Sequence, residues 1–293
     1  MAVEKEKKIK ARSHRRISRS VGGDIVIYGF LVIMALFLSV PLIYTISNSL
    51  KPYNELFLFP PRIFVQNPTI NNYIDLLTVM SSSWVPFTRY LLNTAFITVV
   101  GTAGNLVLGS MAAFAISKIR FPGHKFMFSL MVLSLMFSST VTAIPNYLII
   151  SWLGWIDTYL AVIIPAFQST LGIYLMKQFM DQIPDTLIEA AEIDGANSVR
   201  VFMSIILPTI KPAWLTVIIL SVQSLWNSTG GSFIYSEQLK TLPVAMNDIV
   251  AGGIARSGAS AAISVVMLSV PVLTFILTQS QVVETMATSG MKD

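Results

Sequence analysis

Six apolar runs, each long enough to cross a bilayer as a helix, limit what this chain can fold into. They lie near residues 25–47, 88–116, 126–150, 158–180, 213–233 and 258–282. A hydrocarbon core about 30 Å thick needs roughly 20 consecutive, mostly apolar residues per helix. Composition agrees, because only 12% of residues are charged, against roughly a quarter in an ordinary soluble domain. The expectation is an all-α membrane protein with six spans.

Charge placement sets the topology. The first twenty residues, MAVEKEKKIKARSHRRISRS, concentrate the basic charge, and a full-length apolar run with Pro41 inside it follows. A cleaved signal would have a shorter apolar core and a small-residue cleavage site. The tail, residues 1–23, therefore reads as a cytoplasmic topology anchor, with no nucleic-acid role, and 24–293 as the transmembrane domain. With the tail inside, the inner segments also hold Lys118, Arg120, Lys125, Lys177, Arg200, Lys211 and Lys292. The outer ones hold only Lys51, Arg62, Arg89, Lys240 and Arg256. This bias places both termini in the cytoplasm. Trp152 and Trp155, in the turn between the third and fourth runs, suit a membrane–water interface.

Several chemistries are excluded early. The chain has no cysteine, and its only imidazoles, His14 and His124, sit in basic stretches. Neither a metal site nor a histidine proton relay is expected. No nucleophile–base or carboxylate pair converges on a plausible catalytic site, so no catalytic residue and no enzyme activity are expected. No Gly-x-x-x-x-Gly-Lys-Ser/Thr sequence occurs, so the chain has no phosphate-cradling loop of its own.

Two connections exceed simple turns. The outer one, about 51–87, is expected to carry a short amphipathic helix near Ile70–Met80, lying on the membrane or on a partner. The inner one, 181–212, reads DQIPDTLIEAAEIDGANSVRVFMSIILPTIKP. Pro184 suits the first turn of a helix, and Asp185 puts negative charge at its positive end. Leu187, Ile188 and Ala191 share one face, while Glu189, Glu192 and Asp194 are polar. Gly195 stands where a left-handed terminator belongs, and Asn197 or Ser198 can cap a second helix. Val199, Phe202, Met203 and Ile206 are expected to form its apolar stripe. Anionic lipid surfaces attract basic helices, so an acidic helix pair here fits a protein partner better than headgroups.

In this loop Glu189-Ala190-Ala191, three residues, Gly195, nine residues, Ile205, one residue and Leu207-Pro208 follow one another. The pattern resembles, at every fixed position, the EAA signature of permease subunits of binding-protein-dependent ABC importers. The resemblance implies a type I importer fold in which this loop is the cytoplasmic coupling helix seated in an ATP-hydrolysing subunit. Glu189 would contact that subunit and Gly195 would permit the turn, while Ala190, Ala191 and Leu207 could equally pack the helices together. It further implies a second, homologous permease chain, two ATP-binding subunits that hold the ATP and magnesium, and an extracytoplasmic solute-binding protein, all at the cytoplasmic (inner) membrane.

Other stretches resemble the carbohydrate-uptake, maltose-permease-like branch, from LNTAFITVVGTAGNLVLGSMAAFAISKIRFPG through IPNYLIISWLGWIDTYLAVIIP to LWNSTGGSFIY and KTLPVAM. The likeness is greatest to permeases for larger plant- or algal-type oligosaccharides, which implies a sugar substrate. Asn227 is followed by Ser-Thr-Gly-Gly where many relatives keep bulkier or acidic residues. The carboxyl end, VETMATSGMKD, departs from the maltose type, so a contact of that end with the ATPase is not carried over. Pathway candidates are the polar residues inside spans, which face a cavity or another helix: Asn93, Asn105, Asn146, Gln168, Gln223, Trp226 and Asn227. Trp226 with Asn227 would suit a sugar, and interhelical hydrogen bonding is the competing role. Small residues Gly101, Gly104, Ala112 and Ala113 imply close helix packing, within the chain or against the partner permease. Alternatives to a sugar importer are a permease for another solute, or an ion-coupled carrier. A carrier usually places acidic residues inside spans, whereas Asp24, Asp157 and Glu284 lie at span ends or outside.

Overall fold

The computed structural model describes residues 21–81 and 85–289. Most of the basic tail and Lys292 lie outside the described residues, as do the side chains of the carboxyl end. Regular structure among the described residues is helical. The chain divides into two compact units, Met1–Thr45 and Ile46–Asp293.

The described part of the first unit is most of α1 (Val21–Ser49), a helix apolar on every face. Two of its hydroxyls bond inward to the helix itself. Ser39 Oγ donates to the Leu36 carbonyl and Thr45 Oγ1 to that of Pro41, each at 2.8 Å. Such internal partners are what lipid demands of a polar group.

In the second unit, α2 (Tyr53–Leu56) and α3 (Asn71–Ser81) precede α4 (Phe87–Lys118), the central helix. At 32 residues, α4 is about 48 Å long. Then come α5 (His124–Ser134), α6 (Ser139–Trp152), α7 (Leu160–Ala166), α8 (Thr170–Asp181) and α9 (Asp185–Ile193). After α10 (Ser198–Val201) a π-helical turn, Phe202–Ile206, leads to α11 (Leu207–Thr209). The last helices are α12 (Lys211–Trp226), α13 (Leu242–Ala251) and α14 (Ser257–Ser289).

The third, fourth and fifth expected spans are not single straight helices. Four described helical segments are long and apolar enough to cross a membrane, and six are if each bent pair counts as one span. The third run divides into α5 and α6, bent by 112°. Neither Pro nor Gly lies at that break; Ser138 makes it, its Oγ accepting the Thr140 N–H at 3.2 Å. The fourth breaks between α7 and α8, where Ser169 Oγ accepts the Gly172 N–H at 3.0 Å. The fifth stops at Trp226, short of the expected 233, and beyond it Gly230 and Gly231 take left-handed φ of 77° and 59°. Before it, α11 and α12 meet at a 78° bend.

The outer helix forms where expected, and one of its faces packs on this chain while Ile74 and Leu77 stay exposed. Leu76 is buried with Tyr90 of α4, Leu242 and Ile249 of α13, and Ile263 of α14. At the opposite end of α4, Phe114 packs with Met176 and Met180 of α8 and with Phe202, Ile206 and Ile210. Between these, Ile97 meets Val162, Leu225 and Ile234. The small-residue stripe of α4 packs within the chain: a Cβ on Gly104 would lie 2.0 Å from the Phe167 ring.

Polar bonds fix the outer connection to the helices. Asn72 Nδ2 donates to the carbonyls of Ser49 (2.9 Å) and Lys51 (2.8 Å). The buried Glu55 carboxylate accepts the N–H of Gln66 at 3.0 Å, the N–H of Asn67 at 2.9 Å and the Asn67 amide at 2.8 Å. These bonds, that of Gln66 foremost, outweigh burial and hold the Glu55 carboxyl below the ordinary glutamate range. A lowered value stabilises the loop above the ordinary range and ceases to do so as pH falls through it. Amide-exchange protection at Gln66 and Asn67 should therefore decline on acidification below about pH 4. In Glu55→Gln protection should be several-fold lower at pH 7 and nearly independent of pH from 3 to 7.

Candidate functional site

The inner connection folds as a helix, a glycine turn and a second, irregular helix. Pro184, at ψ 136°, is extended and starts α9. At the far end Gly195 has φ 83°. Its N–H donates to the Glu192 carbonyl at 3.0 Å, and the Ala196 N–H donates to the Ala191 carbonyl at 2.9 Å. This pair of bonds is the Schellman arrangement, which satisfies carbonyls left open at a helix end and needs a left-handed residue. Of the two cap candidates, Asn197 is the cap: its Oδ1 accepts the Arg200 N–H at 2.8 Å.

The apolar stripe of the second helix differs from the expected one. Val201, Phe202, Ile206 and Ile210 are buried, whereas Val199 and Met203 are 66% and 60% exposed. The expected stripe assumed a period of 3.6 residues. The π-helical turn has i→i+5 bonds and a longer period, so burial recurs every four to five residues and Val199 and Met203 turn outward. Trp214 Nε1 donates to the Leu207 carbonyl at 3.1 Å, beside the bend before α12.

A buried lysine anchors this element to the central helix. Lys118, the last residue of α4, has a side chain only 6% exposed. Its Nζ donates to the Ile183 carbonyl at 2.6 Å and to Asp185 Oδ1 at 2.7 Å. Ser117 Oγ donates to Asp181 Oδ1 and Lys177 Nζ to Asp181 Oδ2, both at 2.6 Å. The Lys118 hydrogen bond and charge, with a smaller contribution from Arg120, hold the Asp185 carboxyl below the ordinary aspartate range. The rings of Phe114 and Phe202, 5.2 Å apart, add an apolar tie between α4 and the π turn. Nothing local in the sequence indicated Lys118, since its partners lie more than sixty residues away.

The outward surface of the element carries Leu187, Glu189, Glu192, Ile193 and Asp194. Of the signature residues, Glu189, Ala190, Gly195 and Pro208 are exposed, Ala191 and Leu207 pack against the core, and Ile205 lines a small hollow with Ala191 and Arg200. The sequence thus divides here into residues that hold the element and residues that it displays.

Between α4, α7, α8, α12 and the loop after α12 lies an open cavity of about 700 Å³. Asn105, Gln168, Ser221, Ser224, Asn227 and Phe233 line it. Asn105 Nδ2 donates to Ser221 Oγ at 2.8 Å, while its Oδ1 has no partner. At the mouth Asp157, with φ 60°, accepts the N–H groups of Tyr235 (2.9 Å) and Ser236 (2.8 Å) and the Ser236 hydroxyl. These bonds, that of the Ser236 hydroxyl foremost, hold the Asp157 carboxyl below the ordinary range.

Residues 105–282, which include both the cavity wall and the helix–turn–helix of 185–209, match the family described as binding-protein-dependent transport system inner membrane component. The chain belongs to that family. It is 30% identical to the galactooligosaccharides transport system permease protein GanQ of Bacillus subtilis, over 90% of this chain and 94% of that one. It is also 30% identical to the polygalacturonan/rhamnogalacturonan transport system permease protein YtcP of the same organism, over 75% of each. In fold it is similar to a chain in the crystal structure of a bacterial ABC transporter involved in the import of the acidic polysaccharide alginate. That match has a TM-score of 0.76 and 23% identity, and covers 89% of this chain and 98% of that one. The fold is thus that of a type I importer permease.

Within this permease the pathway candidates are not brought together. Asn93, buried, donates to the carbonyls of Gln238 (2.8 Å) and Lys240 (2.9 Å) and accepts the Tyr159 hydroxyl at 2.7 Å. Trp226 is 3% exposed, and its Nε1 donates to the Met267 carbonyl at 2.9 Å. Both residues hold helices together. Asn146 and Gln223 are exposed, and Asn227 lines the cavity beside Asn105 and Gln168. Sequence reasoning left out Ser221 and Ser224, since hydroxyls inside spans usually bond to their own helix.

A Cβ on Gly195 would meet nothing within 4 Å, so replacement strains the backbone alone. Gly195→Ala should cost about 1–2 kcal/mol locally, Gly195→Asn less, and Gly195→Val more. Lys118→Met, which leaves two acceptors without their donor, should cost about 1–3 kcal/mol. Hydrogen exchange of the 185–197 segment in the purified permease measures all four, with protection lowest in Gly195→Val and Lys118→Met.

Proposed function

We propose that this chain is one of two permease subunits of an ABC importer for an oligosaccharide. The observation that carries the proposal is the complete signature from Glu189 to Pro208, folded into a displayed helix and anchored through Lys118 to the central span. In this reading α9 is the coupling helix. Glu189 contacts an ATP-hydrolysing partner, and Gly195 sets the angle at which the helix enters it. The ATP and magnesium belong to that partner, and this chain carries out no chemistry of its own.

The two termini then lie in the cytoplasm. Lys118, Arg120, Lys177 and Arg200 gather at the coupling-helix end of the molecule, as the positive-inside bias requires. The opposite end, with Glu55, Asp157 and Phe233, meets a solute-binding protein. A second, homologous permease chain completes the pathway. The saccharide substrate is supported by two relatives, permeases of transport systems for galactooligosaccharides and for polygalacturonan/rhamnogalacturonan.

Copurification with the ATP-binding subunits, followed by a screen of oligosaccharides with the solute-binding protein, tests this reading. One oligosaccharide should raise ATP hydrolysis several-fold, and vanadate should abolish its uptake. Uptake that survives vanadate but collapses with a protonophore would sink the proposal. Gly195→Val should abolish transport and release the ATP-binding subunits. If they still copurify and transport is normal, α9 is not the coupling helix.

A further inference from the structure

We infer that the outer connection carries a lipid anchor: the turn from Phe57 to Phe64 dips into the outer leaflet of the bilayer and fixes the outer end of this chain to the membrane. The inference rests on the orientation proposed above and adds the bilayer as the ligand of this loop.

The loop closes where the first span ends. Helix α1 keeps exposed apolar side chains as far as Ile46, and Ser47, Asn48 and Ser49 then complete it. The Thr69 N–H donates to the Leu50 carbonyl at 2.8 Å, so the loop leaves and returns at one place. Lys51 sets the depth of the turn. It is 2% exposed, and its Nζ donates to Asn48 Oδ1 at 2.7 Å and to the Arg62 carbonyl. Two acceptors on one ammonium lie within about 5 Å of each other. The turn is thus folded back to the level of the last turn of α1, where that span meets the headgroups.

What the turn presents there is apolar. Phe59 is 92% and Phe64 70% exposed, and Phe57, Leu58 and Ile63 are exposed as well. From Leu56 to Ile74 the sequence holds a single charge, Arg62. The Glu55 carboxylate, just before, is directed at Gln66 and Asn67. The polar groups of the connection gather elsewhere: Asn54, Asn71 and Asp75 line an open cleft of about 470 Å³. Apolar side chains on one side and amides on another suit a membrane–water interface, where binding scales with the apolar area buried. An arginine there lays its stem among apolar groups and keeps its guanidinium among phosphates.

A visiting protein fits this surface less well. A solute-binding protein docks and leaves, and between visits these five apolar side chains would stand in water, which apolar surface disfavours. The bilayer is present throughout, and the apolar surface of α1 leads directly to the loop.

The sequence contains no cysteine, so Phe59→Cys, Phe64→Cys and Asn54→Cys each give this chain a single thiol for a nitroxide label. The labels are measured in the complete transporter, its other subunits made free of cysteine, in liposomes of phosphatidylethanolamine and phosphatidylglycerol. At 59 and 64, collision with oxygen should exceed collision with a water-soluble nickel chelate several-fold. At 54 the order should reverse. Labels at 59 and 64 reached mainly by the chelate put the turn in water and overturn the anchor. Immobilised labels that neither reagent reaches give the surface to the second permease chain, and shielding that appears only with added solute-binding protein gives it to that protein; either result overturns the anchor. Orientation is measured separately. In intact spheroplasts Asn54→Cys should react with a maleimide that cannot cross the membrane. Reaction only after lysis, with lipid-exposed labels at 59 and 64, overturns the outer placement and the proposed orientation while the contact with lipid stands.

Discussion

A bilayer offers no hydrogen bonds to the ends of a broken helix, and that constraint governs how this permease is built. Its spans are interrupted repeatedly, and each interruption carries its own partner. Ser138 caps α6 and Ser169 caps α8. Trp214 takes the Leu207 carbonyl at the bend before α12. After α12 ends, the irregular segment is bound to α4 by Asn93, through the Gln238 and Lys240 carbonyls, and by Thr94, whose Oγ1 accepts the Leu242 N–H at 2.7 Å. Without these bonds each break would leave backbone groups open at several kcal/mol apiece in hydrocarbon. Irregular backbone at this depth is tolerated where protein surrounds it or a cavity adjoins it, and the segment after α12 has both.

The same rule sorts the polar side chains inside the spans. One set is consumed by the fold: Asn93, Thr94 and Trp226 have their bonding groups directed at named backbone atoms. The other set, Asn105, Gln168, Ser224 and Asn227, lies on the wall of one cavity. From composition alone the two sets look alike, because each is a polar residue in an apolar run. Only the partners distinguish them. Trp226 illustrates this, since an aromatic beside an asparagine suits a sugar site in sequence, while in the fold its indole bridges α12 to α14.

Legibility in the sequence follows the range of the physics involved. The apolar runs, the glycine terminator at 195 and the cap at 197 depend on residues within one or two helical turns, and they are correctly placed. The outer helix is legible for the same reason, but its docking against α14 is not, because that depends on surfaces remote in sequence. The break between α5 and α6 lacks the proline or glycine that ordinarily marks one, and only a serine–serine–threonine cluster competing for the backbone accounts for it. The π turn escapes because pattern reading assumes a period of 3.6. Lys118 escapes for the plainest reason: a lysine at the end of a span looks like a topology charge, and its acceptors arrive from a distant loop.

These features place the cavity and the α9 element at two levels of one helix, α4. Asn105 and Lys118 belong to the same continuous helix, thirteen residues apart, or about 20 Å along its axis. Lys118 ties that helix to the 183–185 segment: its side chain is 6% exposed, and its ammonium donates to the Ile183 carbonyl and to Asp185, whose side chain is 57% exposed. The opposite wall, with Ser221 and Ser224, lies on α12, which joins α9 and α10 through a 78° bend and a π turn. One wall is thus joined to the element through the hydrogen bonds of Lys118, and the other through a bend and a π turn.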